Sequence, residues 1–347
     1  MRAVLLLAHG PSADTHNLAY LTDVPIPVPG PGEVRLRVRA AALNRLDLWV
    51  RSGWPGLKLP LPHIPGADAA GDIDALGADV SGWAVGDRVV IDPTLSCGQC
   101  EFCRAGQQNL CEHGGIVGED SSGTFAEYII IPARNLLRLP AAFGYAEAAA
   151  AALVTLTAWH SLISRAGLRP GQSVLIVGAG GGVNSASIQI AKLCGATVYV
   201  VGSSAAKLEI AQKLGADVVI DRSQGDWGKA IYQLTGKRGV DVVVDNVGEA
   251  TLPTSMRAAR RGGKIVIVGN TSGPMATLDV RLIFGKHLTI LGSTMAPHAD
   301  FITAMGQVFA GKITPVIGAR LPLEQAAQAE QQLEAGDVFG KIVLEID

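Results

Sequence analysis

Residues 173–203 read SVLIVGAGGGVNSASIQIAKLCGATVYVVGS: an apolar strand, a glycine-rich turn, a helix and a second apolar strand. The strands are continuous apolar runs with no polar alternation, which requires burial on both faces and therefore a parallel sheet with helices on either side. DVVID (217–221), DVVVDNVG (241–248), KIVIVGN (264–270) and LTILGST (288–294) continue the pattern, each separated by helical sequence. With the Ala-rich helix YAEAAAAALVTLTAWHSLISRAG before it, this half of the chain is expected to be α/β. Cys194, alone on the first of these helices, reads as core packing.

The turn is chemically specific because a strand precedes it and a helix follows it. Backbone N–H groups at Gly180, Gly181, Gly182 and Val183 can then cradle a pyrophosphate at a helix N-terminus. The three places of G-x-G-x-x-G fall on Ala179, Gly181 and Asn184, with Gly178, Gly180 and Gly182 beside them. At the end of the second strand, where Asp or Glu would bind a ribose 2′-hydroxyl, the chain has Gly202. Ser203, Ser204, Lys207 and Arg222 offer hydroxyls and cations to a 2′-phosphate, so NADPH is expected, with NADH also possible. If these are only solvated loop residues, either cofactor is accepted.

Residues 1 to about 130 have a different texture, with short strands punctuated by Pro and Gly. Val34, Leu36 and Val38 alternate with Arg35, Arg37 and Arg39, the period of a strand with one wet face. MRAVLLLA reads as a first strand, since its short apolar run lacks a cleavage site. Within this half, CGQCEFCRAGQQNLC places Cys97, Cys100, Cys103 and Cys111 in C-x2-C-x2-C-x7-C. Disulfides between such near neighbours would be strained, and an iron–sulfur spacing would bring the fourth cysteine sooner, followed by Pro where Glu112 stands. One zinc with four thiolates is expected in a lobe at about 93–115; the closed ligand set supports a fold and leaves no position for substrate.

The chain of 347 residues suggests two domains at on the order of 100–200 residues each. Its net charge of −2, with no long basic run, argues against nucleic acid and for a small-molecule substrate. No apolar stretch reaches the ~18 residues of a membrane span, so no membrane partner and a cytoplasmic location are expected.

Together, LNRLDLWVRSG, PGADAAGDIDALG, the four-cysteine lobe, GDRVV, GTFAEY, LTAWHSL, the nucleotide turn and GKIVL resemble the medium-chain dehydrogenase/reductase superfamily over essentially the whole chain. The resemblance implies a GroES-like catalytic domain (1–154 and 295–347) and a Rossmann domain with a doubly wound parallel sheet (155–294). It also implies that Thr157, Asn246, Gly269, Asn270, Leu291 and Ser293 line the nicotinamide side, and that the protein is a homodimer or homotetramer. Zinc alcohol dehydrogenases of the family hold a second, catalytic zinc with Cys, His and Cys; the matching positions here are Asn44, Ala67 and Leu153. None is a normal zinc ligand. Asn44, Asp47 and Trp49 instead resemble the quinone oxidoreductase and enoyl-reductase branch, where they would face nicotinamide and substrate. The alternative for Asn44 and Asp47 is a local capping role.

A conjugated carbonyl or quinone can accept hydride without a Lewis acid if donors meet the developing oxyanion. The expected activity is therefore NADPH-dependent reduction of an activated C=C bond (enone, enal or enoyl thioester) or a quinone, with Asn44 as oxyanion donor. His63 is the weaker candidate for a proton donor. Two alternatives remain: alcohol, aldehyde or ketone interconversion, with an ion on Asp47, His63 and Asp68 or with none, and a non-catalytic NADPH- or nucleic-acid-binding protein.

Overall fold

The computed structural model describes residues 1–54 and 56–347, with Thr15 described by its backbone alone. The chain divides into two compact units: Met1–Leu153 with Ala296–Phe309 and Pro315–Asp347, and Val154–Met295 with Ala310–Thr314.

In the first unit the strand Glu33–Ala42 is the organising element of a seven-stranded sheet. One edge pairs antiparallel with Asp68–Leu76 along its length. The other edge is shared, with Tyr128–Pro132 beside residues 33–37 and Lys341–Glu345 beside residues 40–42. Val34, Leu36 and Val38 are buried while the arginines between them are half-buried, which is the expected alternation. Arg35 and Arg39 pair across the ladder with Asp74 at 2.6 Å and Asp72 at 2.8 Å. The register slips between Val38 and Ala40, and Ala40, Ala41 and Ala42 beyond it are all buried. Gly71 lies at this irregularity; a Cβ there would meet the Arg37 carbonyl oxygen at 2.0 Å, so only glycine fits.

MRAVLLLA does form a strand, Ala3–Leu6, antiparallel to Leu18–Leu21. The C-terminal strand Lys341–Glu345 returns to the first unit's sheet and brings Lys341 beside residues nearly 300 positions earlier. Packing is continuous through Leu36, Leu43, Ile73, Phe125 and Ile342, all nearly inaccessible.

The second unit holds six parallel strands: Ser173–Val177, Thr197–Gly202, Val218–Asp221, Val240–Asp245, Ala259–Ile267 and Thr289–Gly292. Numbered along the chain, their order in space is 3-2-1-4-5-6, the doubly wound Rossmann arrangement. Direction reverses between the first and fourth strands, and ligands bind at the carboxyl ends of strands at such a switch point. The helix Gly182–Leu193 begins there, directly after the glycine turn.

Among the described residues one helical stretch, Tyr145–Arg165, is long and apolar enough to cross a membrane, but 78% of its apolar window is buried inside the fold. It is a core helix, made apolar all round by what packs against it.

Candidate functional site

The four cysteines converge. Their sulfur atoms all lie within 4.8 Å of one another, with Cys97 to Cys103 at 3.9 Å and Cys100 to Cys111 at 3.8 Å. A tetrahedron with Zn–S bonds of about 2.3 Å has edges of about 3.8 Å, so the quartet fits zinc without rearrangement. The backbone assists: N–H groups of Cys100 and Gln99 point at Cys97 Sγ at 3.3 and 3.5 Å, and that of Cys97 points at Cys111 Sγ at 3.2 Å. The donors from Gln99 and Cys100 hold the Cys97 thiol down to about 6, the thiolate form a metal needs. Among the described residues this is the one group of three or more His, Cys, Asp or Glu side chains whose ligand atoms come together.

Asp47, His63 and Asp68 therefore do not form an ion site. His63 is structural: its Nε2 meets the Gly118 carbonyl at 2.9 Å, its backbone bridges Leu6, and burial pushes its pKa down.

Asn44, Asp68 and Leu153 do meet. The Asp68 carboxylate, fully buried, accepts from Leu153 N–H at 2.8 Å on Oδ1, and from Asn44 Nδ2 at 2.9 Å and Lys341 Nζ at 3.0 Å on Oδ2. Lys341 uses its other two hydrogens on the Leu43 carbonyl at 2.5 Å and Asn44 Oδ1 at 2.6 Å. A buried ammonium thus stands among residues that match the catalytic-zinc positions, with every donor engaged. The Asn44 amide is held on both sides. Its remaining hydrogen makes only a 3.3 Å contact with the Ala42 carbonyl and is the one available to turn to another acceptor.

Asp47 opens the helix Arg45–Ser52, and its Oδ2 accepts the Asn44 N–H at 2.6 Å. Asn44 and Asp47 form a capping box at the start of this helix, the local role that their sequence allows, and the Asn44 side chain also meets Asp68 and Lys341. Trp49, on the same helix, is 37% exposed and presents an aromatic surface.

In the second unit, Thr157 is buried and its Oγ1 has no hydrogen-bond partner. Such an orphan costs about 1–3 kcal/mol unless a ligand satisfies it, so Thr157 is fitted to bond a cofactor group. Asn184 accepts a hydrogen bond from Asn246 Nδ2, and its own Nδ2 lies 2.5 Å from where Gly178 would carry a Cβ; at φ +104° Gly178 must be glycine on both counts. Ser293 Oγ accepts from Ser161 Oγ at 3.0 Å. Asp245, missed by sequence reasoning, holds the segment carrying Asn246: its carboxylate accepts from Val247 N–H, Gly248 N–H, Thr251 Oγ1 and Ser255 Oγ. Gly269 approaches the Asn246 carbonyl, Asn270 is exposed, and Leu291 is half-buried on the edge strand Thr289–Gly292.

The glycine at position 202 has a steric reason. A Cβ at Gly202 would meet Ala179 Cβ at 2.7 Å and Leu208 Cδ2 at 3.0 Å, so a carboxylate-bearing residue has no room. Ser204 caps the helix Ala205–Lys213 by accepting Lys207 N–H, and Lys207 lays its stem over Gly180, its Nζ 3.2 Å from a Cβ built there. Ser203 and Arg222 are exposed.

Two family models match the chain, an alcohol dehydrogenase GroES-like domain over residues 30–141 and a zinc-binding dehydrogenase over residues 182–310. An NAD-dependent alcohol dehydrogenase of Saccharolobus solfataricus is 33% identical over 88% of this chain and 90% of its own. An acryloyl-coenzyme A reductase of Sulfurisphaera tokodaii is 32% identical over 88% and 89%. The crystal structure of an NAD-dependent alcohol dehydrogenase superposes with a TM-score of 0.95 at 47% identity over 100% of both chains.

Proposed function

From the premise that the chain belongs to the medium-chain dehydrogenase/reductase superfamily, as an oxidoreductase of its zinc-type alcohol dehydrogenase-like branch, we propose that it reduces an activated C=C bond or a quinone with NADPH and without a catalytic zinc. One observation carries this reading: of the positions that resemble catalytic-metal ligands, Ala67 and Leu153 carry no ligand atom in their side chains, and the Asn44 side chain is engaged in a buried cluster with Asp68 and Lys341. Simple alcohols need a Lewis acid to lower the pKa of their hydroxyl. A conjugated carbonyl needs only a donor for the enolate oxygen.

The reduced nicotinamide, when bound, supplies the hydride. The chain's own contribution begins with the glycine turn and Lys207, which receive the phosphates, and with Thr157, Asn246, Gly269, Asn270, Leu291 and Ser293, which would set the ring. Asn44 Nδ2 turns its weakly engaged hydrogen to the substrate oxygen while Lys341, on Asn44 Oδ1, polarises the amide and strengthens that donor. Asp47 fixes the Asn44 backbone, and Trp49 offers a wall for a flat conjugated substrate. One zinc in the Cys97, Cys100, Cys103, Cys111 lobe supports the fold.

The name of the acryloyl-coenzyme A reductase relative favours enoyl thioesters among the possible substrates. Alcohol or carbonyl interconversion is the second reading, favoured by the relatives named alcohol dehydrogenases. A homodimer or homotetramer in the cytoplasm is part of the proposal. It is supported by the edge strand Thr289–Gly292 and by Met275, Val280 and Phe284, 77%, 64% and 69% exposed; a monomer by light scattering would remove the oligomer. The activity is tested with enones, quinones, enoyl thioesters and primary alcohols against both cofactors. Saturated carbonyl products support the proposal, and ready oxidation of primary alcohols by protein holding one zinc would sink it.

A further inference from the structure

Three carboxyls and two cations share one buried neighbourhood in the first unit. Asp68 on the strand Asp68–Leu76 pairs with Lys341 of the strand Lys341–Glu345 at 3.0 Å, and Glu330 of the helix Ala326–Ala335 pairs with Arg51 of the helix Arg45–Ser52 at 2.5 Å. All four side chains are at most 4% exposed. Asp47, 2% exposed, is the carboxyl left over, with the Asn44 N–H as its one hydrogen-bond donor. Beyond these lie Arg45 and Glu334, which face each other at the rim, and Glu334 also accepts from Ser12 Oγ.

An ionised carboxylate with no counter-ion in such a place costs several kcal/mol, and taking up a proton removes the cost. We infer that Asp47 holds a proton in the working enzyme, and that this neutral carboxyl acts as a positioning residue that keeps the charge around Asn44 balanced. The direction of its titration agrees: burial, with Glu330 and Asp68 adding to it, raises the Asp47 carboxyl from 3.8 to about 8, against the lowering by the Asn44 N–H and by Lys341. Burial also pushes Glu330 up, to about 7, although Arg51 opposes it.

Neutral Asp47 leaves Asp68 facing Lys341 and Glu330 facing Arg51, so no carboxylate in the cluster stands without a cation. Ionisation of Asp47 places an uncompensated negative charge on the Asn44 backbone N–H, within the residue whose side-chain amide is the donor. On the reading that Asn44 meets an enolate oxygen, on which this functional consequence rests, that charge opposes the developing oxyanion and the rate falls. Asp47 thereby ties turnover to pH without touching substrate.

Infrared spectroscopy of the full-length, zinc-loaded protein, in water and in heavy water, tests the inference without any substrate. The difference spectrum between wild type and Asp47→Asn at pH 7 should contain one carboxylic-acid carbonyl band, on top of any from Glu330 and Glu119, which are raised to about 7, and that difference band should vanish as the pH passes about 8. If Asp47→Asn fails to fold, the titration of Glu330→Gln/Glu119→Gln replaces it: an acid band that persists there at pH 7 and is lost near 8 supports the inference, and its absence overturns it. Stability supplies a second readout. Because the folded pKa is raised from 3.8 to about 8, the folded chain binds more protons than the unfolded one between those values. The contribution of Asp47 is complete below pH 3.8 and is lost as the pH rises through 8, so the melting temperature of Asp47→Asn should gain on the wild type across that window.

In kinetics with a conjugated substrate, kcat/KM of the wild type should fall about tenfold per pH unit above this pKa, and Asp47→Asn should lack that limb whatever its plateau. An Asp47→Asn spectrum that loses carboxylate bands instead of the acid band at pH 7 would overturn the inference. The acid band present, with no turnover of any conjugated substrate, would uphold the protonated Asp47 and defeat the proposed reaction instead.

Discussion

The cysteine lobe and the Asn44–Asp68–Lys341 cluster solve the same problem, how to keep concentrated negative charge within a fold, by opposite means. In the lobe, four thiols come from a single stretch of sequence, are half-buried or buried, and leave their charge to a metal. In the cluster a carboxylate is fully buried and neutralised by an ammonium contributed from residue 341. The lobe can be removed by anything that binds zinc more tightly or oxidises sulfur. The cluster holds its own counter-ion and is disturbed by mutation. The contrast is between a loop that offers four free thiols to one ion and a buried cluster whose side chains are already paired with one another.

Breaking the lobe should have the largest effect. Cys103 is the most buried ligand, so Cys103→Ser removes a thiolate where water cannot easily replace it. The expected outcome is loss of the one zinc per chain in elemental analysis, with aggregation or a much lower melting temperature before any measurable change in chemistry. Protein that stayed folded and active after zinc removal would show that the thiolates need no metal to hold the lobe.

Breaking the cluster should cost less but reach further into function. Lys341→Met leaves Asp68 buried without its counter-ion and frees Asn44 Oδ1, a change of about 3–5 kcal/mol in denaturant unfolding. Adding Asp68→Asn to that variant should restore much of the stability, because the uncompensated charge is then gone. The double variant should remain slow, since the polarised Asn44 amide is not rebuilt. If the second substitution restored nothing, the pair would not be coupled and the cluster would be two separate contacts.

How legible these regions were in sequence follows from how far apart their parts lie in the chain. The lobe was readable because all of its ligands fall between Cys97 and Cys111 with metal spacing. The parallel sheet was readable because its strands are unbroken apolar runs, and its glycine turn lies between one strand and the next helix. The cluster was not. Asn44 and Asp68 could be singled out, but nothing near them points to Lys341, which arrives only because the last strand pairs with residues 40–42. Arg51 and Glu330 were likewise invisible, since a helix Arg in isolation reads as solvated. Asp245 was hidden in an apolar strand whose polar end serves four donors that follow it.

The smallest effect belongs to a third place where charge is balanced, this time against a ligand. At Gly202 the chain has no carboxylate, and Lys207 lies close by with its side chain over the glycine turn. Lys207→Ala should weaken NADPH binding by about 1.5–3 kcal/mol if the ammonium meets the 2′-phosphate, and weaken NADH much less. Gly202→Asp alone is expected to bind both cofactors poorly, because the new side chain meets Ala179 Cβ at 2.7 Å from its first carbon. Combining it with Ala179→Gly relieves that contact and should turn the preference to NADH, the new carboxylate accepting from the ribose hydroxyls and repelling phosphate. Fluorescence titration of each variant with both reduced cofactors gives the ratio directly. A wild type that binds NADH more tightly, or a Lys207→Ala variant with an unchanged ratio, would show that the loop around Gly202 does not choose the cofactor. Neither result would disturb the lobe or the cluster, whose variants should leave the ratio where it stands.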